Sequence, residues 1–446
     1  MAKPSKEISP ARFAAFKILK QVETGAFSSI LLAAEEPHLL PADRALCHDL
    51  VLGVLRWQLL LDKILEHFSK RAIESLDPPV RIALRLGLYQ LRYLTRIPAS
   101  AAVNESVSLV RAARLSSATA LVNAVLRRAT REAEYDPATE VSDSIEKIAI
   151  QSSHPIWLID RWAQAFGLDQ AESFANANNL MPPTAFRVVA NRANQAEVLS
   201  KLSAVGATVE SSDIVDEAWR VSGATSLLRE LSAAGQIYLQ DEASQLVARE
   251  LDVKPNERVL DLCAAPGGKT TLMADRSEDR AFIVAADISA TRMATVVNTM
   301  RLHELKSIKP TLVDAVESLP FVEGSFDRVL VDAPCSGTGT LRRNPEIRWR
   351  LTPVDIVKLA EQQKQILRRA VEMVKPGGRL VYSTCSVEPE ENEEVIEEVL
   401  VPDTRFELLK TTRTWPQREG CDGFFISIFQ RRLNASLECG DLSPLW

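Results

Sequence analysis

Between residues 240 and 432 the chain alternates short, apolar, β-rich segments with helical stretches, and few folds accommodate that pattern. The segments 258–263, 282–287, 309–313, 328–332 and 378–384 read as strands. Helical stretches separate most of them, so right-handed crossovers onto a parallel sheet are expected. Two later strand candidates, 406–410 and 424–430, lack a connecting helix long enough to fix their direction. In an open α/β sheet ligands bind outside the C-terminal strand ends, which makes those ends the places to search.

The first end is Val259-Leu260-Asp261-Leu262-Cys263-Ala264-Ala265-Pro266-Gly267-Gly268-Lys269-Thr270, a strand, a small-residue turn and a helix start. Small residues let backbone amides approach a ligand closely, and a helix N-terminus favours its negative group. Many such turns only close a connection, but two acids follow. Asp287 ends the second strand, where a carboxylate accepts both hydroxyls of a ribose. Asp314 ends the third, placed for an adenine amino group. Three sheet-end features in order point to a nucleoside cofactor. The turn departs from G-x-G-x-x-G, and no Walker lysine follows four variable residues, which argues against dinucleotides and nucleoside triphosphates.

The six cysteines form no C-x-x-C pair and have no histidine spacing suited to zinc, so no metal is expected and the thiols should be free. Cys47, Cys421 and Cys439 read as small buried apolar residues. Cys335 and Cys385 keep different company. Asp332-Ala333-Pro334-Cys335-Ser336-Gly337 follows the fourth strand, and Ser383-Thr384-Cys385-Ser386 follows the fifth. In the expected order these strands are neighbours, so both thiols should face the cofactor crevice.

Upstream the periodicity is helical. Phe13, Phe16, Leu19 and Val22 recur at three- and four-residue spacing, with Gly25 ending that helix. Further helices are expected within 43–68, over 80–94 behind Asp77-Pro78-Pro79, and over 100–114 and 116–131, the last two opened by capping serines. Helices with short connectors and no strand signal make an all-α bundle. Residues 134–144 read as a linker, and Ser153-His154-Pro155 as the cap of a helix over 156–166. A strand at 184–190 and a helix at 195–205 complete a small α+β unit. The domains expected are therefore 7–133, 145–239 and 240–432, with a tail at 433–446. The acidic run 388–398 reads as a solvated helix face.

Net charge is −6, but residues 1–131 carry 19 lysines and arginines against 11 acids, while the rest carries 34 against 48. A basic front on an acidic rear suits a polyanionic partner. The first six residues are polar and no apolar run follows them or spans a bilayer, so a cytoplasmic protein without membrane contact is expected.

Cys263–Lys269, Asp287, Asp314, the Asp332–Gly337 stretch and Ser383–Ser386 together resemble the motif series of the RNA 5-methylcytosine methyltransferases. Ser153-His154-Pro155-x-Trp157, Gln240-Asp241-x-x-Ser244 and Asp422-Gly423-Phe424-Phe425 are similar to outer motifs of that family. The front, with Leu86-Gly87-x-Tyr89-Gln90-Leu91, Val103-Asn104-Glu105 and Val122-Asn123-x-Val125-Leu126-Arg127, resembles its NusB-like RNA-binding domain. The resemblance covers about residues 7–432. It implies an all-α NusB-like bundle, a small α+β subdomain and a Rossmann-like class I methyltransferase domain. It also implies S-adenosylmethionine as cofactor, S-adenosylhomocysteine as product, and 16S ribosomal RNA or a small-subunit assembly intermediate as substrate of a monomer. The cofactor is assigned to Cys263, Ala264, Ala265, Pro266, Gly267, Gly268, Lys269, Asp287, Asp314 and Asp332. Cys385 is assigned as nucleophile and Cys335 as the thiol aiding release.

Carbon 5 of cytosine is a poor nucleophile; a thiolate added at carbon 6 makes it enamine-like and able to attack a methyl sulfonium. Asp332 is the candidate donor to ring N3. A stacked cytosine cannot present carbon 6, so it must lie in a loop or be flipped out. Arg342, Arg343, Arg348 and Arg350, interleaved with Trp349, are candidates to grip phosphates and stack a base, and Arg127, Arg128 and Arg131 form a second patch. Two other readings stand beside this one. A DNA cytosine methyltransferase is disfavoured by the second cysteine and the helical front, and a silent RNA-binding assembly factor by intact Cys335, Cys385 and Asp332.

Overall fold

Proline at the first turn opens the helices Pro10–Glu23, Pro41–Arg56 and Pro78–Tyr93, where its missing N–H costs nothing and its φ is already helical. The computed structural model describes residues 8–433, so Cys439 and all of the expected tail but Leu433 lie outside the described residues. The chain forms two compact units: residues up to Met181 with Thr340–Arg350, and Pro182–Gly339 with the chain from Leu351 onward.

The first unit is helical. Pro10–Glu23, Pro41–Arg56, Gln58–Ser69, Pro78–Tyr93, Ala99–Ala112 and Thr119–Arg131 bury Phe16, Leu50, Ile64, Leu84, Val110 and Leu126 in one core. Phe13, expected on the inward stripe, lies on the exposed side of its helix. Two glycines set the closest approaches. A Cβ at Gly53 would sit 2.0 Å from the Tyr89 ring, and one at Gly87 2.5 Å from the Leu126 side chain. The expected serine caps are absent. Ser116 opens a short 3₁₀ turn without capping through its side chain, and Ala99–Ala112 starts behind Pro98. Asp77 likewise makes no side-chain cap.

The stretch read as a linker carries a 3₁₀ turn, Pro137–Glu140, and leads into a helix, Ser144–Ser152, capped by Asp143 accepting from the Glu146 amide at 2.8 Å. Ser153 ends that helix in the left-handed region (φ 54°) rather than capping Ile156–Phe166, and its Oγ accepts from the Leu59 amide at 2.9 Å. The helices Ser144–Ser152, Ile156–Phe166 and Leu168–Ala177 belong to this first unit, and the strands that follow belong to the second.

The second unit holds two sheets. β1 (Thr184–Val188), β2 (Thr208–Ser211), β3 (Ala218–Ser222) and β4 (Ile237–Leu239) form an antiparallel sheet in the order β2-β3-β1-β4. Its helices Gln195–Ala204 and Thr225–Ala233 pack Val198, Leu202 and Leu228 onto Phe186 and Ile237.

β5 (Arg258–Leu262), β6 (Phe282–Asp287), β7 (Ile308–Leu312), β8 (Phe326–Asp332), β9 (Val374–Thr384), β10 (Phe406–Thr414) and β11 (Phe424–Arg431) form a seven-stranded sheet ordered β10-β11-β9-β8-β5-β6-β7. β5 to β9 are parallel, whereas β11 runs antiparallel to β9 and to β10, which settles the two directions left open by the sequence. Both faces are covered, and alternate residues divide between them. Val259, Ile283, Leu330 and Val381 pack with Leu246, Met273 and Val296, while Leu260, Val284, Val329 and Leu380 pack with Ile366, Leu367 and Ile396. Burial on both sides explains why these strands read as continuous apolar runs rather than alternating ones.

Candidate active site

The order of the seven-stranded sheet reverses at β5, whose neighbours are β6 and β8, and a crevice opens outside the C-terminal ends there. The chain leaves β5 through Cys263 in the left-handed region (φ 64°) and Gly267 (φ 103°), where a Cβ would meet Val296 Cα at 3.2 Å. This turn delivers the N-terminus of the helix Gly268–Arg276. Asp287 fastens it: one carboxylate oxygen accepts from the Ala265 amide at 3.2 Å, the other from the Ser289 amide at 2.9 Å. Asp261 lies beneath the turn, buried, and accepts from Thr270 Oγ1 at 2.6 Å. Burial first, and then Asp332, raise its carboxyl to about 7 despite the opposing Thr270 bond.

A cavity of about 280 Å³ occupies the crevice. Cys263, Ala265, Asp287, Asp314, Asp332, Cys335 and Cys385 all line it, with the exposed side chain of Ile288 beside Asp287. Ala264, Pro266, Gly267, Gly268 and Lys269, also expected at the cofactor, do not line it; they shape the turn behind it. Asp314 accepts from the Val316 amide at 3.0 Å.

The two sulfurs meet at this cavity. Parallel pairing of β8 with β9 sets Asp332 opposite Ser383, and the loops beyond bring Cys335 Sγ and Cys385 Sγ to 3.2 Å, both half-buried. The Gly339 amide donates to the Cys385 carbonyl at 2.9 Å, and the Gly423 amide to the Gly339 carbonyl at 2.8 Å. A Cβ at Gly339 would lie 1.9 Å from the Gly423 carbonyl oxygen, so only glycine permits this contact. The hydrogen bond shared with Cys385, and burial, raise the Cys335 thiol well above its ordinary value.

Asp332 accepts from Lys269 Nζ at 2.6 Å and from Ser383 Oγ at 2.9 Å. Asp332, expected as the donor to ring N3, uses both of its oxygens as acceptors in this arrangement. The cation paired with Asp332 is Lys269, which the sequence places only in the cofactor turn. Burial pulls the Lys269 ammonium down, yet Asp332, with Cys385 and Asp261 behind it, raises its pKa overall. The ammonium also lies 5.2 Å from the Phe424 ring centre. Nothing in the Gly-Gly-Lys pattern distinguishes a loop lysine from one paired across β5 and β8.

The acidic run is a solvated face only in its later half, where Glu394, Glu397 and Glu398 are exposed. Glu388 and Glu391 are both fully buried, Glu391 directly behind the two cysteine loops, whereas Glu393 and Glu394 stay at or near the surface. The break in helix between Pro389–Glu391 and Glu393–Val399 at Asn392 (φ −119°, ψ −93°) turns Glu391 inward.

The expected RNA contacts divide. Arg342 and Arg348 are buried, and Arg348 spends its guanidinium on carbonyls of Ser153, Asn178 and Leu341 and on Asn179 Oδ1 at 3.0 Å. Burial withdraws both from the phosphate grip, and for Arg348 these acceptors offset the cost of keeping its guanidinium in the interior. Trp349 is half-buried and donates from Nε1 to the Leu55 carbonyl at 2.6 Å. Arg350 donates to the carbonyls of Val22, Gly25 and Ala26, and Arg343 is half-buried. On Thr119–Arg131, Arg127 and Arg131 are exposed, and Arg128 pairs with Glu132 at 2.9 Å over the Phe68 ring.

Comparison with known proteins assigns the chain. It matches the family described as 16S rRNA methyltransferase RsmB/F over residues 248–430, the NusB family over 9–131, and an RsmF/B-like ferredoxin-like domain over 154–227. The Bacillus subtilis protein named probable ribosomal RNA small subunit methyltransferase B is 34% identical over 437 residues, covering 93% of this chain and 97% of its own. The chain belongs to the RsmB/F family of 16S rRNA methyltransferases. A Synechocystis relative with the same printed name is 38% identical over 402 residues, covering 87% of this chain and 89% of its own. The solved structure of PH0851 superposes with a TM-score of 0.82 at 29% identity, covering 95% of this chain and 99% of that one. A methyltransferase homologue from Pyrococcus horikoshii gives 0.57 at 27%, covering 65% and 100%.

This RsmB/F chain thus joins a NusB-like helical domain, a ferredoxin-like subdomain and a methyltransferase domain with a mixed sheet, and it methylates small-subunit ribosomal RNA. Among the described residues no group of three or more His, Cys, Asp or Glu is placed to hold a metal, and no helix is long and apolar enough to cross a membrane.

Proposed function

We propose that this RsmB/F methyltransferase uses S-adenosylmethionine to methylate carbon 5 of a cytosine in 16S ribosomal RNA, with Cys385 as nucleophile. The observation that carries the reading is the pair of sulfurs 3.2 Å apart, lining the same cavity as Asp287 and Asp314. That cavity suits the cofactor by its chemistry. Carboxylates at Asp287 and Asp314 match ribose hydroxyls and an adenine amine, Ile288 offers an apolar surface to the base, and acids favour a cationic sulfonium. S-adenosylmethionine supplies the electrophilic methyl group.

The chain's own residues do the rest. Cys385, as thiolate, adds to carbon 6 of the flipped-out base and so makes carbon 5 nucleophilic; the bound cofactor would give up its methyl group to that carbon, its sulfur–methyl bond breaking to leave S-adenosylhomocysteine. Lys269, held by Asp332, donates a hydrogen bond to N3 and offsets the charge that develops there. Solvent water takes the carbon 5 proton, its electron pair re-forms the carbon 5–carbon 6 double bond, and the carbon 6–sulfur bond breaks to return Cys385 as thiolate. Cys335, as thiol, donates a hydrogen bond to the departing sulfur.

Two variants test this. Cys385→Ala is expected to lose methylation and every covalent RNA adduct. Cys335→Ala should accumulate a protein–RNA adduct that survives denaturing electrophoresis. Methylcytosine mapping of 16S RNA from cells with and without the enzyme reads the product. An adduct formed through Cys335 instead would move the nucleophile to the position used by DNA cytosine methyltransferases and overturn the assignment.

A further inference from the structure

Each reactive cysteine is followed by a serine, and both serines end on one buried carboxylate. Ser336 donates to Glu391 twice, from its amide to Oε1 at 2.8 Å and from its hydroxyl to Oε2 at 2.5 Å. Ser386 donates its hydroxyl to the same Oε2. Gln363 Nε2 completes the set, bonding Oε1 at 3.0 Å and the Pro334 carbonyl at 2.8 Å. The Glu391 backbone is held as well, its carbonyl accepting from Tyr382 Oη at 2.6 Å. Asn392, the next residue, donates to the Ser386 carbonyl at 3.0 Å and accepts from Thr384 Oγ1 at 2.6 Å. Glu391, Ser386, Gln363, Asn392 and Thr384 have no exposed surface.

A buried carboxylate without a cation is costly, and burial raises its pKa. Four donors aimed at its two oxygens offset that cost only in this geometry. Neither serine loop can shift without leaving a lone pair empty in the interior. The carboxylate therefore couples a loop that follows β8 to one that follows β9. Their strand pairing ends at Asp332 and Ser383, before either cysteine.

We propose that Glu391 is the positioning residue that holds the Cys335 and Cys385 sulfurs within reach of each other. It touches neither substrate nor cofactor and acts through Ser336 and Ser386. Its catalytic meaning rests on the thiol mechanism proposed above, but the spacing itself is measurable without any methyl transfer.

The experiment uses the full chain and a glutathione redox buffer. Forming the Cys335–Cys385 disulfide consumes one oxidised glutathione and releases two reduced ones, which take up the two thiol protons. The equilibrium constant, read by peptide mass spectrometry, gives the effective concentration of one thiol at the other. Glu391→Gln keeps the size but replaces one acceptor oxygen by a donor, so a serine loop is released. The effective concentration is expected to fall at least tenfold, with S-adenosylmethionine affinity unchanged within about twofold. The lifetime of the RNA adduct should lengthen, as for Cys335→Ala. Ser336→Ala removes one donor and should shift both readouts the same way by less; it serves as the test if Glu391→Gln does not fold.

A wild-type disulfide equilibrium in the folded variants overturns the proposal. So does a variant whose adduct formation and release slow by the same factor. If instead the thiol equilibrium shifts as expected while Cys385→Ala still methylates RNA, the clamp stands and the thiol mechanism falls.

Discussion

Single residues carry the chemistry here, and their surroundings decide which can be read in advance. Cys335 and Cys385 are legible because each follows a strand among Pro, Ser and Gly, where a core cysteine has no reason to sit. The partnership of Asp332 with Lys269 is not legible, since it depends on the register of β5 against β8. Arg342 and Arg348 mislead for the opposite reason: a basic, aromatic string looks the same whether its arginines grip phosphate or lie buried. Asp261 leads to a test at this scale. Its folded pKa of about 7 lies above the unfolded value near 3.9, so the folded state binds the extra proton between those pH values. Its contribution is present below about pH 4 and is lost as pH rises to 7, by at most about 4 kcal/mol. Asp261→Asn keeps an acceptor for Thr270, so it should be more stable than wild type at pH 8 and indistinguishable at pH 4. Chemical denaturation at the two pH values measures this, and an unchanged difference between them would contradict it.

At the level of elements, the parallel strands are evident from their apolar runs, because both faces of the sheet are covered. The directions of β10 and β11 are not, because a short connection permits either sense until pairing with β9 selects one. The acidic run 388–398 reads as helix face by composition alone; only the break at Asn392 turns Glu391 inward. The contact between Gly339 and Gly423 joins three pieces, since Gly339 also bonds Cys385. Gly339→Ala places a methyl 1.9 Å from a carbonyl oxygen that cannot yield without moving β11 or the Cys335 loop. Overpacking of this kind costs about 1–3 kcal/mol. We expect methyl transfer to fall by about 100-fold or more, the scale on which a displacement of about 1 Å acts, while Asp287 and Asp314 keep cofactor affinity within a few-fold. Single-turnover methylation and equilibrium binding separate the two, and full activity would show that the backbone contact does not matter.

Across the whole molecule the charge is unevenly placed, with 19 basic residues against 11 acids before residue 132 and an acidic remainder. With Arg342 and Arg348 buried, the exposed Arg127 and Arg131 become the better candidates for phosphate contacts. Reversing both to glutamate should weaken binding to ribosomal RNA and lower its salt dependence by about 0.7 per lost phosphate contact, with cofactor binding unaffected. Titration of RNA binding against salt tests this; an unchanged slope would move the contact elsewhere. The division of the chain was the least legible feature, because nothing in residues 340–350 announces that they pack with helices more than 150 positions upstream.

That distant packing sets an order of events at the ribosome. Glu346, whose carboxylate receives the Ser28 amide, and Trp349, bonded to Leu55, are made long after the helices they join. The amino-terminal half therefore emerges with a seat still vacant, and its last contacts wait until most of the catalytic sheet has been translated.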